Sequence, residues 1–127
     1  MCAHKHTSLD ERSDPPLAEQ LAVAAEVLGH LADPTRLHLL HMLTEGEQDV
    51  STLTASGNAS RSSVSQHLGR LRLAGLVQSR RDGRRMLYRI TSDHLEALVE
   101  EALGFAYHAV ADVPHHRRGA QEKTTPA

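Results

Sequence analysis

The stretch SRSSVSQHLGRLR, residues 60–72, has two unlike sides when it is drawn as a helix. Val64, Leu68 and Leu71 repeat at the i, i+4, i+7 spacing of one helix face, which predicts that this face packs on a core. The other side is polar and contains no acid. Its groups can donate hydrogen bonds to phosphate oxygens and to base edges in a major groove. They belong to Arg61, Ser62, Ser63, Ser65, Gln66, Arg70 and Arg72.

A β-hairpin is predicted directly after this helix. Gly75 ends the helix, and residues 76–90 have the pattern of two strands joined by a turn at Asp82-Gly83. A polar helix followed by an arginine-rich hairpin is typical of a winged helix-turn-helix. We expect the helix to place Ser62, Ser63, Ser65 and Gln66 near base edges. We expect phosphate contacts from Arg61, Arg70, Arg81, Arg84 and Arg85.

The distribution of charge supports a nucleic-acid partner, although the total does not. The chain has 14 Lys and Arg against 16 Asp and Glu, a net charge of −2. Residues 60–89 alone contain eight arginines and one acid, which leaves six basic and fifteen acidic residues elsewhere. A segregated basic block of this kind is the electrostatic footprint of phosphate binding.

The residues before this block predict three further helices. They cover Leu17 to Leu31, Pro34 to about Leu43 with Asp33 as its cap, and Val50 to Ala55 with Asp49 as its cap. A fifth helix is expected from about Asp93 to Val110. The fold class is thus mainly α (α+β): a winged helix-turn-helix of five helices and a two-stranded hairpin. Residues 17–111 form the domain, between a flexible arm, 1–16, and a flexible tail, 112–127.

Composition narrows the class of partner and the compartment. At 127 residues the chain is long enough for one domain. Aromatic residues make up only 2% of it, so base stacking on single strands or RNA is not expected and double-stranded DNA is the natural partner. A single cysteine fits a reducing cytoplasm, and no apolar run predicts a membrane span.

A family resemblance becomes specific at residues 31–37, LADPTRL, which is similar to a signature of the ArsR/SmtB metalloregulatory repressors. Residues 64–68, 74–77 and 81–84 continue the similarity in the same order, over roughly residues 20–110. The resemblance implies a homodimer joined through its terminal helices. It also implies that the dimer represses its own operator and releases the DNA when an inducer, often a metal ion, binds.

The chain has ten histidines, and one set is regularly spaced on the last helix. His94, Glu101 and His108 are seven residues apart, which returns them to nearly one side of a helix. His94 and His108 are about 21 Å apart along the axis at 1.5 Å per residue, too far to share an ion within one chain. Antiparallel pairing of two such helices would bring His94 of one subunit near His108 of the other.

The resemblance guides the choice among metals. The family's thiolate sites lie on the first helix of the DNA-reading unit, and residues 48–53 contain no cysteine here. Its zinc sensors carry an acid and a histidine where this chain has Ser92 and Phe105. Residues 113–117, VPHHR, resemble the tail of the nickel/cobalt-sensing branch, although Tyr107 stands where that branch has a glutamate. The ligands implied for Ni(II) or Co(II) are His94, His108, His115 and His116, with Zn(II) as an alternative.

The N-terminal arm offers a second set of donors. Removal of Met1 would leave an amine, a thiolate and an imidazole close together, a combination that can chelate Ni(II) or Cu(II). The alternative is an arm with incidental histidines. The further candidate ligands are Glu101, Cys2, His4 and His6.

Two other functions stay open at this stage. The same DNA-binding module could serve a repressor that responds to zinc or to a signal other than a metal. A histidine-rich metal-buffering protein would bind metal without sequence-specific DNA binding, and the arginine-rich hairpin argues against it. An enzyme is not expected, because the chain has neither a Ser-His-Asp nor a His-Glu-x-x-His pattern.

Overall fold

The structure is a computed structural model, and it describes residues 13–112. These residues form five helices and three strands. In chain order the elements are α1 (Leu17–Leu31), α2 (Pro34–Leu43), β1 (Gln48–Asp49), α3 (Val50–Ala55), α4 (Arg61–Leu73), β2 (Val77–Asp82), β3 (Arg85–Ile90) and α5 (Asp93–Asp112). The winged helix-turn-helix architecture expected from the sequence is confirmed. The last helix reaches Asp112, two residues beyond the predicted end.

Three of the helices begin at side chains that cap them. Asp33 accepts a hydrogen bond from the amide of Arg36 at 3.1 Å, and Pro34 occupies the first position of α2. Asp49 caps α3 by accepting from the amide of Thr52 at 2.8 Å. Ser60 caps α4 in the same way at 3.1 Å. The starts of the DNA-reading helices are therefore fixed by local chemistry that the sequence makes visible.

One apolar core holds α2, α3 and α4 together with the base of the hairpin. Val64, Leu68 and Leu71 of α4 are buried, as their spacing predicts. The buried stripe of α2 consists of Leu39, Leu40 and Leu43, whereas the predicted Leu37 is only partly buried. The core leaves the polar side of α4 free and fixes its orientation relative to the hairpin.

The hairpin is longer by one partner strand and its turn is shifted by one residue. β1 pairs antiparallel with β3, so the sheet has three strands in the order β1, β3, β2. Asp82 pairs with Arg85, which makes Gly83-Arg84 the two-residue loop, and the prediction of a turn at Asp82-Gly83 was wrong. Gly83 has φ +66° and no residue other than glycine has positive φ within residues 13–112. A loop with positive φ at its first residue only is the Gly-first hairpin turn.

The two terminal helices leave much apolar surface uncovered. Leu31 is the one buried residue of α1, while Leu17, Leu21 and Leu28 are 67, 60 and 53% exposed. In α5 only Leu95 and Val99 are buried, and Phe105 is 78% exposed. The single apolar stripe predicted for α5 therefore divides. One part packs on the chain's own core, and the remainder, with Leu98, faces outward.

Candidate nucleic-acid interface

The polar side of α4 is presented to solvent as the sequence predicts. Ser62, Ser65, Gln66 and Arg70 are exposed, and Ser63 is partly buried beside the helix cap. Arg61 donates a hydrogen bond from its Nη1 to the hydroxyl of Ser51 on α3, at 2.9 Å. The first turn of α4 is thus tied to the preceding helix of the helix-turn-helix.

A second set of polar contacts ties α4 to the start of α2 and the end of α1. Nη1 of Arg36 lies 3.3 Å from Nδ1 of His67, and Nε of Arg36 donates to the carbonyl oxygen of His30 at 2.8 Å. Nε2 of His67 lies 3.8 Å from Oδ2 of Asp33. Because the carbonyl of His30 belongs to the last turn of α1, Arg36 joins a terminal helix to the DNA-reading helix.

The arginines of the hairpin are not equivalent. Nε and Nη2 of Arg80 each donate to a carboxylate oxygen of Glu47 at 2.8 Å, a bidentate pair. Arg85 contacts Asp82 at 3.1 Å and Asp49 at 3.4 Å. Arg81 and Arg84 are exposed and form no ion pair within residues 13–112.

These pairs perturb the carboxylates. The hydrogen bond from Arg80 holds the pKa of Glu47 below its ordinary value. The pKa of Asp49 is also lowered, first by the backbone amide of Thr52 and further by Arg85. Arg80 in turn has a raised pKa because of Glu47. All three groups therefore stay charged at neutral pH.

The histidine side of α5 forms no complete metal site within one chain. His94 and His108 are both exposed, and residues 13–112 contain no group of three or more histidine, cysteine, aspartate or glutamate side chains that could hold an ion. The hydroxyl of Ser92 accepts hydrogen bonds from the amides of His94 and Leu95 at 3.0 and 3.3 Å, so it starts the helix. The ring of Tyr107 meets that of His108 edge-on, with centroids 5.5 Å apart.

Several predicted ligands lie outside the described residues. These are Cys2, His4 and His6 of the arm and His115 and His116 of the tail. Glu101 is described, is exposed and lies on α5 one heptad from His94 and His108.

Residues that the sequence did not single out also contribute to this surface. Glu47 and Asp49 engage the hairpin, and Arg36 and His67 join α4 to α1. Asp49 carried a signal as a helix cap, but its second role depends on the pairing of β1 with β3, which no local pattern indicates. Leu73, at the end of α4, is 80% exposed on the outward side.

An exposed polar helix, packed next to an arginine-bearing hairpin, defines a winged helix-turn-helix DNA-binding protein. Residues 33–79 match the family described as bacterial regulatory protein, arsR family. The chain is similar to the HTH-type transcriptional regulator KmtR of Mycobacterium tuberculosis, with 40% identity over 87% of this chain and 85% of that protein. It is also similar to the HTH-type transcriptional repressor SmtB of that species, with 38% identity over 72% of this chain and 68% of the relative.

A solved structure agrees in fold. The homodimeric winged helix-turn-helix domain of Mb0332 from Mycobacterium bovis, a possible ArsR-family regulator, has a TM-score of 0.67 and 29% identity. The match covers 82% of this chain and 94% of that one. This chain belongs to the ArsR family of bacterial regulatory proteins. It is a DNA-binding transcriptional regulator and not an enzyme.

No helix within residues 13–112 combines the length and the apolar character needed to span a membrane.

Proposed function

We propose that this chain is a dimeric transcriptional repressor that binds its operator and is released from it by Ni(II) or Co(II). The observation that carries the proposal is the placement of the exposed polar side of α4 opposite its buried stripe, next to a free pair of hairpin arginines. A repressor needs such a surface twice, at the spacing of successive major grooves. We place this activity in the cytoplasm, where DNA is accessible.

The DNA-reading surface is built around α4. Ser62, Ser65 and Gln66 project away from the core and reach base edges, while Ser63 at the capped first turn lies near the backbone of the DNA. The guanidinium groups contact phosphates, which positions the helix in the groove without reading sequence. The proposed phosphate ligands on α4 and the hairpin are Arg61, Arg70, Arg81 and Arg84.

The proposed dimer interface consists of the exposed apolar sides of α1 and α5. Leu17, Leu21 and Leu28 of α1 and Phe105 of α5 lie on helices that the chain's own core does not cover. An uncovered surface of this size favours association with a second copy. The homodimeric state of the Mycobacterium bovis neighbour supports the same arrangement.

The metal ligands fit an ion shared between subunits and do not fit one held by a single chain. Leu98 and Phe105, seven residues apart, border the histidine side of α5. A partner helix that covers them in antiparallel orientation brings its own His108 towards His94. Imidazole nitrogens suit Ni(II) and Co(II), ions that accept more ligands than structural zinc. His115 and His116 of each tail would complete the shell, with Glu101 and the arm residues Cys2, His4 and His6 as further donors.

Metal binding would act on the dimer and only through it on DNA. An ion that links α5 of the two subunits favours one arrangement of the subunits over others. DNA is released if that arrangement separates the two α4 helices by a distance that successive grooves do not match. The strength of release is set by the difference in metal affinity between the two arrangements.

A titration of Ni(II), Co(II) and Zn(II) into the protein bound to its own promoter DNA tests the proposal. We expect release by Ni(II) or Co(II), and none in His94→Ala. His41→Ala is the matched control, because His41 is an exposed histidine on α2, away from α5. Release by zinc alone would favour the zinc-responsive alternative, and binding without release by any metal would favour a repressor with a different signal. Metal binding without DNA binding would indicate a metal buffer.

A further inference from the structure

The hairpin sheet has two faces with different charge environments. Residues paired across antiparallel strands lie on the same face, and successive residues alternate between faces. Val77 with Ile90 and Arg81 with Met86 lie on one face, the face whose base is buried in the core. Arg80 lies on the other face.

That second face encloses its own arginines. Gln78 pairs in register with Arg89, Arg80 with Leu87 and Asp82 with Arg85, and β1 adds Asp49 opposite Leu87. Each of its three arginines has a partner: Arg80 with Glu47, Arg85 with Asp49 and Asp82, and Arg89 with Gln78.

Two of the carboxylates are fixed independently of the arginines. Asp49 is held by its bond to the amide of Thr52, and only 13% of its side chain is exposed. Glu47 directly precedes β1, which pairs with β3. The partners of Arg80 and Arg85 are therefore anchored to the segment that enters the helix-turn-helix, so the ion pairs connect the hairpin to that unit.

We propose that Arg80 and Arg85 are positioning residues that orient the hairpin through Glu47, Asp49 and Asp82, and that Arg81 and Arg84 carry its phosphate contacts. The sequence-based assignment of Arg85 to phosphate is thereby replaced. This division rests on the DNA binding proposed above. An arginine already bound by a bidentate carboxylate must give up that partner to reach phosphate, whereas Arg81 and Arg84 have none to give up within the described residues.

The salt dependence of DNA binding separates the two roles, because each neutralised phosphate steepens the plot of log K against log salt by about 0.9. Wild type and the variants Arg80→Gln, Arg81→Gln, Arg84→Gln and Arg85→Gln would be compared by fluorescence anisotropy on a promoter duplex. Loss of one contact in each of two subunits predicts a slope shallower by about 1.8 for Arg81→Gln and for Arg84→Gln. Arg80→Gln and Arg85→Gln should keep the wild-type slope while weakening affinity.

A charge exchange provides the second measurement. The double variant Glu47→Arg with Arg80→Glu restores the ion pair in the opposite sense, and we expect it to recover wild-type affinity and slope from the weaker Arg80→Glu single variant. Glu47→Gln should weaken binding without changing the slope. Glu45→Gln is its matched control, since Glu45 carries the same charge two residues away and forms no ion pair within residues 13–112.

The outcomes are distinguishable. A slope reduced by about 1.8 in Arg80→Gln, or tighter binding with a steeper slope in Glu47→Gln, would overturn the proposal, because Arg80 would then be a phosphate ligand held back by Glu47. Unchanged slopes for Arg81→Gln and Arg84→Gln would overturn it as well. If wild type binds no promoter duplex at any salt concentration, the proposed repressor function fails instead.

Discussion

Nη1 of Arg36 lies 3.3 Å from Nδ1 of His67, so a residue at the start of α2 meets the middle of the DNA-reading helix. Arginine has no acceptor, and the contact therefore requires a lone pair on Nδ1 and the proton of the neutral ring on Nε2. That Nε2 faces Asp33, which also caps α2. Arg36 further donates to the carbonyl of His30, so the orientation of α4 depends on the end of α1.

Removing this link should cost stability cooperatively. Arg36→Ala deletes a bond to a carbonyl of α1 and the partner of His67, and we expect a loss of roughly 1–3 kcal/mol in the free energy of unfolding. His67→Ala should cost less, and the double variant less than the sum, by about 0.5–2 kcal/mol. Urea denaturation of the four proteins measures this coupling. Strict additivity would mean that the two side chains do not act together.

Acid should weaken the junction between the hairpin and the helix-turn-helix. Glu47 and Asp49 have pKa values below their ordinary 4.5 and 3.8, which the unfolded chain restores. A lowered folded-state pKa stabilises the fold above the unfolded pKa, and this contribution is lost as pH falls through the folded value. We therefore expect Glu47→Gln and Asp49→Asn to lower the melting temperature at pH 7 and to flatten its fall between about pH 5 and pH 3.

The measurement is a thermal melt followed by circular dichroism across that pH range. Glu45→Gln serves as the control, because it removes one carboxylate of the same loop that has no ion-pair partner in residues 13–112. An acid limb as steep in Glu47→Gln and Asp49→Asn as in wild type would contradict the assignment.

Sequence patterns captured the helices better than the sheet, for physical reasons. Helix caps and periodicity are local, and Asp33, Asp49 and Ser60 announced the starts of three helices. The pairing of β1 with β3 joins residues about forty positions apart, and two-residue strands carry no periodic signal. The turn was misplaced by one residue because Asp-Gly suggests one loop type, whereas register and Gly83 select another.

The same limit applies to the candidate site. The arginines around the turn could be counted from the sequence, but their partition into paired and free could not. Arg80 and Arg81 are neighbours in the chain and belong to opposite faces of the sheet. Their difference depends on Glu47, which lies on a loop that only the folded sheet brings to Arg80.

The dimer interface should depend on α1 and on the far end of α5. Burying Phe105 would contribute about 1.5–3 kcal/mol on each of two symmetric copies. Phe105→Glu should therefore weaken dimerisation by at least roughly 10²-fold, and Leu21→Glu should act similarly. Sedimentation equilibrium measures the dissociation constant, and far-ultraviolet circular dichroism checks the fold. Leu73→Glu is the control, since Leu73 is 80% exposed on α4 and lies outside the proposed interface. A dimer as tight as wild type in Phe105→Glu would exclude α5 from it.

Mixed dimers test whether the metal is shared between subunits. If each ion is held by His94 of one subunit and His108 of the other, His94→Ala and His108→Ala homodimers should each lose both sites. A mixed dimer of one His94→Ala subunit and one His108→Ala subunit keeps one intact pair, because the wild-type His94 and His108 then face each other across the axis. Differently tagged subunits allow this species to be purified.

We expect it to bind one Ni(II) per dimer where both homodimeric variants bind none, by isothermal titration. The structure supports this outcome, since His94 and His108 lie too far apart on α5 for one chain to join them and no group of three donors forms within residues 13–112. The matched mixture of His38→Ala and His41→Ala subunits alters two exposed histidines of α2 and should keep two ions per dimer. If each site were built by a single chain, the mixed dimer would bind no more nickel than its parents, and the antiparallel arrangement of α5 would be wrong.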